Sequence, residues 1–131
     1  MTIELFRRTF TVDRAALVRY AGASGDFNPI HWSERAAREA ALPGVIAHGM
    51  LTMGLAAAAL EDWAGDPGRI TSLVTRFTRP VVVPDPGQVM LEVVGTSPSD
   101  DDAAARRVDL KVTVDGQAVL AGARATVKMD A

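Results

Sequence analysis

The chain has 131 residues, 48% of them apolar, so it is long and apolar enough to fold around a core of its own. It contains no cysteine, which excludes disulfide bonds, cysteine nucleophiles and thiolate metal sites. The net charge of −2 comes from 14 basic and 16 acidic residues without a basic tract, and this balance argues against nucleic acid as a partner.

The sequence has no segment with the pattern of a secretion signal or a membrane span. Its N-terminal residues lack the apolar stretch of a signal peptide. The longest apolar run, residues 50–60, is shorter than the roughly 20 residues that a transmembrane helix needs. We therefore expect a single domain over residues 1–131, located in the cytoplasm and without a membrane partner.

The first predicted elements are a strand and a helix. Residues 3–10 have the pattern of a short strand. Thr11 or Asp13 then offers a side chain that can cap a helix reaching Tyr20. The two glycines within residues 21–26 predict that this helix ends there.

A loop and a short helix follow. Residues 26–32 are predicted to be a loop because Pro29 has no amide proton and disfavours the helical conformation of the residue before it. Ser33 is a favourable N-cap for a short helix over residues 34–40, with Glu34 in its first turn complementing the helix dipole.

Residues 50–63 form the most apolar predicted helix. Before Glu61 its clearest interruptions are Thr52 and the small Gly54, so apolar residues lie on all of its sides. A helix of this composition is typical of a protein interior. Residues 65–68, with two glycines and a proline, predict its end.

The second half of the chain has the pattern of strands, predicted over residues 70–77, 89–94, 108–114 and 118–128. Asp115-Gly116 is the sequence of a tight hairpin turn, and the polar, acidic residues 97–105 predict a solvated loop. Helices grouped before strands favour an α+β domain in which an antiparallel sheet wraps around the apolar helix.

The residues that best suit catalysis lie in the loop after the first helix. Asp26, Asn28 and His31 place a carboxylate, an amide and an imidazole within six residues, beside glycine and proline residues that restrict the loop. A carboxylate and a histidine can act together as general acid and base near neutral pH. Asp and Asn before a proline also stabilise turns without any catalytic role, so spacing alone leaves both interpretations open.

The second candidate segment is Ala47-His48-Gly49-Met50-Leu51, at the start of the apolar helix. The first amides of a helix have no acceptor within it and lie at the positive end of its dipole, so they can hold a carbonyl oxygen that gains negative charge. Gly49 would allow such a carbonyl group to approach the backbone closely. For His48 we favour a structural hydrogen bond to the backbone, and the two histidines with Asp26 match no metal-ligand spacing.

The sequence resembles a known family in three blocks that occur in the family's order. Tyr20 and Ser24-Gly25-Asp26-Phe27-Asn28-Pro29-Ile30-His31 resemble the signature of the MaoC-like (R)-specific enoyl-thioester hydratases and (3R)-hydroxyacyl-ACP dehydratases. Ala47-His48-Gly49-Met50-Leu51-Thr52-Met53-Gly54 and Arg76-Phe77-Thr78-Arg79-Pro80-Val81 resemble the next two blocks. Gly65-Asp66-Pro67-Gly68 adds a likeness to the B subunits among those dehydratases.

This resemblance implies a hot-dog fold and reversible hydration of trans-2-enoyl thioesters to (R)-3-hydroxyacyl thioesters. It implies that Asp26 and His31 hold the water that adds across the double bond. The backbone amide of Gly49 would polarise the thioester carbonyl, with Asn28 and Ser24 supporting the pair. No metal or redox cofactor is expected, because the thioester itself acidifies the carbon at position 2.

The resemblance also implies partners. The substrate would be an acyl-CoA or an acyl-ACP, and the domain would form a homodimer or a heterodimer with another hot-dog subunit. Four arginines could meet phosphopantetheine or an acidic carrier protein, or could be solvated charges: Arg7, Arg8, Arg76 and Arg79. The alternatives are a non-catalytic or acyl-binding partner subunit and a thioesterase on the same fold.

Overall fold

The fold is seen in a computed structural model that describes residues 2–98 and 104–129. The centre of the predicted polar loop, residues 99–103 with the run Asp100-Asp101-Asp102, lies outside the described residues. The helices are α1 (Arg14–Ser24), α2 (Glu34–Glu39) and α3 (Gly49–Ala64), with 3-10 turns at Pro29–His31 and Pro67–Arg69. The strands are β1 (Ile3–Val12), β2 (Ile70–Phe77), β3 (Val89–Ser97), β4 (Ala105–Val114), β5 (Gln117–Ala118) and β6 (Leu120–Lys128).

The strands form one six-stranded antiparallel sheet in the order β1-β3-β4-β6-β2, with the short β5 paired to β4. The edges of the sheet are therefore β1 and β2. Helix α3 contacts β1, β2 and β3, and its Ala56, Ala59 and Leu60 belong to the same core cluster as the inward-facing valines of the strands. The predicted α+β class, with an antiparallel sheet wrapped around the apolar helix, is confirmed.

Helix α3 uses only part of its apolar surface within this chain. Its buried residues are Thr52, Ala56, Ala59 and Leu60, whose spacing places them on one face of the helix. On other sides Met50 is 59% exposed and Gly54 is also exposed. The helix lies against the core as predicted, but the chain alone does not cover all of it.

Helix α1 is longer than the sequence pattern indicated. Asp13, and not Thr11, is its N-cap, because the Asp13 carboxylate accepts a hydrogen bond from the Ala16 amide while Thr11 belongs to β1. The predicted end near Tyr20 is wrong. The helix continues through Gly22, since one helical glycine costs only about 1 kcal/mol, and ends at Gly25 in a left-handed conformation with φ of 78°.

The last hairpin also differs from the predicted single return strand. Asp115 and Gly116 both have positive φ, as the tight two-residue turn requires. The strand after the turn is interrupted at Val119, whose amide donates to the Val112 carbonyl and whose own carbonyl accepts from the Thr78 amide. Through this bond the chain just after β2, at Thr78, lies against Val119, and both residues line one cavity.

Within residues 2–98 and 104–129, no helix is both long enough and apolar enough to cross a bilayer.

Candidate active site

A ladder of short-range hydrogen bonds shapes the loop after α1. Ser24 Oγ accepts from the Asp26 amide at 3.1 Å, Asp26 Oδ1 accepts from the Asn28 amide at 3.1 Å, and Asn28 Oδ1 accepts from the Ile30 amide at 3.2 Å. Each side chain thus holds the amide two residues further along the chain, as Asx-type and Ser-type turns do. These bonds lead the chain into the 3-10 turn, whose first residue is Pro29. Ser24 and Asn28 therefore bind the backbone of this loop through their side-chain oxygens.

The His31 imidazole is buried and has a defined tautomer. Its exposed fraction is 8%, and Nδ1 lies 2.7 Å from the carbonyl oxygen of Ile46. A carbonyl oxygen can only accept, so the proton is on Nδ1. In the neutral ring Nε2 then carries a lone pair and can accept a proton.

His48 is packed against His31. Its exposed fraction is 2%, and its ring lies over the His31 ring with centroids 3.8 Å apart and planes inclined by 21°. The edge contact with Tyr20, at 4.7 Å between centroids, completes the packing. Nε2 of His48 lies 3.1 Å from the Asp26 carbonyl oxygen and donates to it, which is the structural contact favoured from the sequence.

Asp26, His31 and His48 converge. One carboxylate oxygen and one nitrogen from each ring all lie within 4.8 Å of one another, with Asp26 exposed and both histidines buried. The ligands of a tetrahedral zinc ion must all point at the ion. The two histidine rings are nearly parallel, so their in-plane lone pairs do not point at one common position. The stacked rings therefore do not match the tetrahedral arrangement of a zinc site.

Gly49 is the first residue of α3 and stands beside this cluster. The internal hydrogen bonds of α3 begin with the Leu51 and Thr52 amides, which both donate to the His48 carbonyl. The Gly49 and Met50 amides precede that ladder at the positive end of the helix dipole. A Cβ at position 49 would lie 3.2 Å from the Phe77 ring, so glycine allows this ring to pack closely against the start of α3.

A cavity of about 370 Å³ joins His31 to Gly49. Its wall is mainly apolar and includes Thr52, Phe77, Val119 and Leu120 as well as those two residues. Asp26 is not among the residues that line this cavity. It is exposed and lies next to the two histidines. A carbonyl oxygen bound at the Gly49 amide would therefore place its neighbouring carbons in the same cavity as the His31 ring.

A second polar cluster supports this arrangement from outside the cavity. Glu34 accepts hydrogen bonds from the Val45 amide and from the Arg14 guanidinium, and Arg14 also donates to the Val83 carbonyl. The bond from Val45 and the contact with Arg14 hold the pKa of the Glu34 carboxyl below its usual value of 4.5. Because Val45 immediately precedes Ile46, the cluster fixes the segment that binds His31 Nδ1.

The four candidate arginines separate into two groups. Arg79 lines the cavity between His31 and Gly49, and Arg76 is exposed on β2. Arg7 instead pairs with Glu4 and Glu92, contacts that raise the pKa of its guanidinium, and Arg8 pairs with Asp62. Only Arg79 is therefore placed to meet a substrate in that cavity.

Two contacts of the site were not predicted. The Ile46 carbonyl is a backbone group, so the type of residue at position 46 does not reveal its contact with His31. Phe77 lies within a family block, yet nothing in the sequence indicates that its ring faces Gly49.

The antiparallel sheet around α3, with a histidine–carboxylate cluster at the start of that helix, is a hot-dog-fold domain. A family model described as "MaoC like domain" matches residues 4–116. The chain belongs to this family.

Relatives of similar length support the same assignment. The chain is 33% identical over 113 residues to the 3-hydroxybutyryl-CoA dehydratase of Methylorubrum extorquens, covering 83% of this chain and 72% of that protein. It is 32% identical over 114 residues to the (R)-specific enoyl-CoA hydratase of Rhodospirillum rubrum, covering 84% and 79%. A solved structure described as a MaoC-like dehydratase superposes with a TM-score of 0.92 at 38% identity, over 98% of this chain and 40% of that one.

Other relatives are much longer than this chain. It spans 24% of the 3-hydroxyacyl-thioester dehydratase X of Mycobacterium tuberculosis and 3% of the fatty acid synthase subunit beta of Saccharomyces cerevisiae.

Proposed function

We propose that residues 1–131 act as one hot-dog domain that reversibly hydrates trans-2-enoyl thioesters to (R)-3-hydroxyacyl thioesters. The observation that carries this proposal is the shared cavity of the His31 ring and Gly49, with the Asp26 carboxylate beside the ring. The names of the two relatives of similar length, a dehydratase of a 3-hydroxyacyl-CoA and a hydratase of enoyl-CoA, support the choice of reaction.

In the proposed mechanism, the thioester carbonyl oxygen accepts a hydrogen bond from the Gly49 amide. This bond and the helix dipole stabilise the negative charge that develops on the oxygen as the double bond is attacked. Asp26 and His31 hold a water molecule between them, and one of the two takes its proton. The water oxygen forms the new bond to C3, the carbon–carbon double bond becomes single, and the pair returns a proton to C2.

The proposed substrate is an acyl chain on CoA or on a carrier protein, both of which present a phosphopantetheine arm. Arg79 lies in the cavity lining and is exposed, so it can meet the phosphate of such an arm while the thioester reaches Gly49. The apolar wall around Val119 and Leu120 suits the hydrocarbon part of the substrate.

The proposed partner is a second copy of this domain, docked along β2. This strand is an edge of the sheet, and exposed apolar side chains lie along it and at the start of α3: Met50, Val74 and Phe77. Met50 and Phe77 flank Gly49, so a copy docked here would also cover the open side of the cavity. Isolated monomers rarely expose several large apolar groups together without such a use.

The test is a hydration assay on the purified chain with a series of trans-2-enoyl-CoA substrates, beginning with crotonyl-CoA. We expect loss of the enoyl absorbance, formation of the (R)-3-hydroxyacyl product and no release of free thiol. Release of thiol would indicate a thioesterase instead. Absence of turnover across the whole series, on CoA and on carrier protein, would contradict the proposal.

A further inference from the structure

We infer that His48 is a positioning residue that fixes the acid–base loop against the carbonyl-binding end of α3. The inference rests on the proposed function, because it assigns His48 a role in that site. It starts from a single hydrogen bond, the one that Nε2 of His48 donates to the main-chain oxygen of Asp26 at 3.1 Å.

This hydrogen bond adds to two others between the loop after α1 and the segment that enters α3, from the Ile46 amide to the Ile30 carbonyl and from His31 Nδ1 to the Ile46 carbonyl. Asp26 lies in the loop after α1, whereas His48 is the N-cap of α3 and is followed at once by Gly49. The bond therefore ties the residue beside Gly49 to the residue whose carboxylate stands by His31. Together with the contacts of Ile46, it fixes the separation between the proposed carbonyl site and the proposed water site, on which catalysis by positioned groups depends.

The ring of His48 also limits the motion of His31. The two rings stack at 3.8 Å, and Tyr20 packs against His48 by its edge. His31 is thus held at Nδ1 by the Ile46 carbonyl and on one face by His48, which restricts the direction of its Nε2 lone pair.

A merely space-filling role does not explain the histidine. Its Nδ1 is buried and has no hydrogen-bond partner within the described part of the chain, and its side chain makes no capping bond to α3. A buried acceptor without a partner lowers stability, so an apolar side chain would fill this place at less cost. What an apolar side chain would lose is the bond to Asp26.

The first test needs no activity. Long-range proton–nitrogen NMR spectra of the wild-type chain report which imidazole nitrogen carries the proton. We expect Nε2 of His48 to carry a proton. A ring protonated at Nδ1 alone would lack the donor to Asp26 and overturn the inference, even if the protein proved not to be a hydratase.

The second test separates the donor from the bulk of the side chain. Gln and Met have similar length, and only Gln offers a donor that can reach the Asp26 carbonyl. We expect H48M to lose kcat on the order of 10²-fold with little change in KM, and H48Q to have a kcat on the order of tenfold higher than H48M.

Thermal unfolding of both variants is measured alongside. Equal kcat in H48Q and H48M, with wild type active and both variants folded, would overturn the role of His48 while leaving the proposed function intact. An inactive wild type would instead overturn the proposed function.

Discussion

Nδ1 of His31 lies 2.7 Å from the carbonyl oxygen of Ile46, and this contact leaves Nε2 of the same ring as the proton acceptor. The Ile46 carbonyl is held in turn by its neighbour Val45, whose amide binds Glu34 and whose carbonyl binds the Val83 amide. The tautomer of His31 therefore depends on a backbone segment that is fixed on both sides.

Loss of either member of the acid–base pair is expected to abolish turnover without unfolding the protein. Asp26→Asn keeps an oxygen that can accept from the Asn28 amide, so the loop is retained while the carboxylate is lost. His31→Gln removes the basic Nε2. For each variant we expect a decrease in kcat of at least about 10²-fold in the hydration assay.

Asp66→Asn is the matched control for this loss. Like Asp26, Asp66 accepts a hydrogen bond from the amide two residues later, that of Gly68, but it lies beyond the far end of α3, about 24 Å of helix away from Gly49. We expect wild-type kcat for Asp66→Asn. Normal turnover in Asp26→Asn and His31→Gln would refute the assignment of the pair.

A methyl group at position 49 is expected to impair the reaction more than the fold. In Gly49→Ala the new Cβ would lie 3.2 Å from the Phe77 ring, on the residue whose amide is proposed to bind the carbonyl. Because Phe77 is 53% exposed, its ring can shift, and we expect stability within about 1 kcal/mol of wild type. We expect kcat/KM to decrease on the order of 10–100-fold.

Gly54→Ala is the control on the same helix. A Cβ there meets nothing within 4 Å, so it should raise the free energy of unfolding by about 0.5–1 kcal/mol through helix propensity alone. Equal kcat/KM in Gly49→Ala and Gly54→Ala would argue against a carbonyl site at Gly49.

Stability should fall at acid pH in a way that depends on Glu34. The folded-state pKa of this carboxyl lies below 4.5, because the Val45 amide and Arg14 bind the carboxylate. A depressed folded pKa contributes stability above pH 4.5 that is lost as the pH falls through the folded value. Glu34→Gln should therefore have a flatter decline of unfolding free energy with pH in denaturant titrations.

The control for that pH dependence is Glu39→Gln on the same helix, whose side chain is exposed. Its acid decline should match that of wild type. If the unfolding free energy of Glu34→Gln falls with pH in the same way as that of wild type and Glu39→Gln, Glu34 contributes nothing to the loss of stability at acid pH.

A charge on β2 is expected to separate the proposed dimer. Val74 is 52% exposed on this edge strand, and Val74→Arg would bury a cation at the interface. We expect sedimentation of wild type as a dimer and of Val74→Arg as a monomer. Val18→Arg, at a 61% exposed position on α1, should remain a dimer. A wild-type chain that sediments as a monomer at all concentrations contradicts the pairing of identical copies.

Arg79 is expected to affect binding of the thioester arm more than the chemical step. Arg79→Gln should raise KM for an enoyl-CoA roughly two- to fivefold, with kcat nearly unchanged, because an exposed cation contributes modestly. The effect should shrink at high salt. Arg124→Gln, an exposed arginine on β6 away from this cavity, serves as the control; an equal rise in KM would indicate a general charge effect.

Much of the fold could be predicted because its signals are local. The Asp115-Gly116 turn, the Ser33 cap and the apolar pattern of α3 each depend on a few neighbouring residues. The end of α1 could not be predicted from its glycines, since Gly22 and Gly25 are the same residue type and only the second adopts a positive φ.

The candidate site was predictable in its members but not in its geometry. Asp26 and His31 stand out in the sequence, whereas the stacking of His31 on His48 and the break at Val119 depend on contacts between distant segments. Tertiary packing decides such contacts, and no local pattern encodes them.

The hydrogen bonds of this loop make the residues that form them less tolerant of substitution than Phe27, which lies between two of them. Ser24, Asp26 and Asn28 each use a side-chain oxygen, whereas the Phe27 side chain between them is 62% exposed. Because the chain has no cysteine, Phe27→Cys would create one unique attachment point for a fluorophore beside the acid–base pair. A fluorescent reporter for the proposed thioester substrate can therefore be placed within one residue of Asp26 while the hydrogen bonds of the loop are left in place.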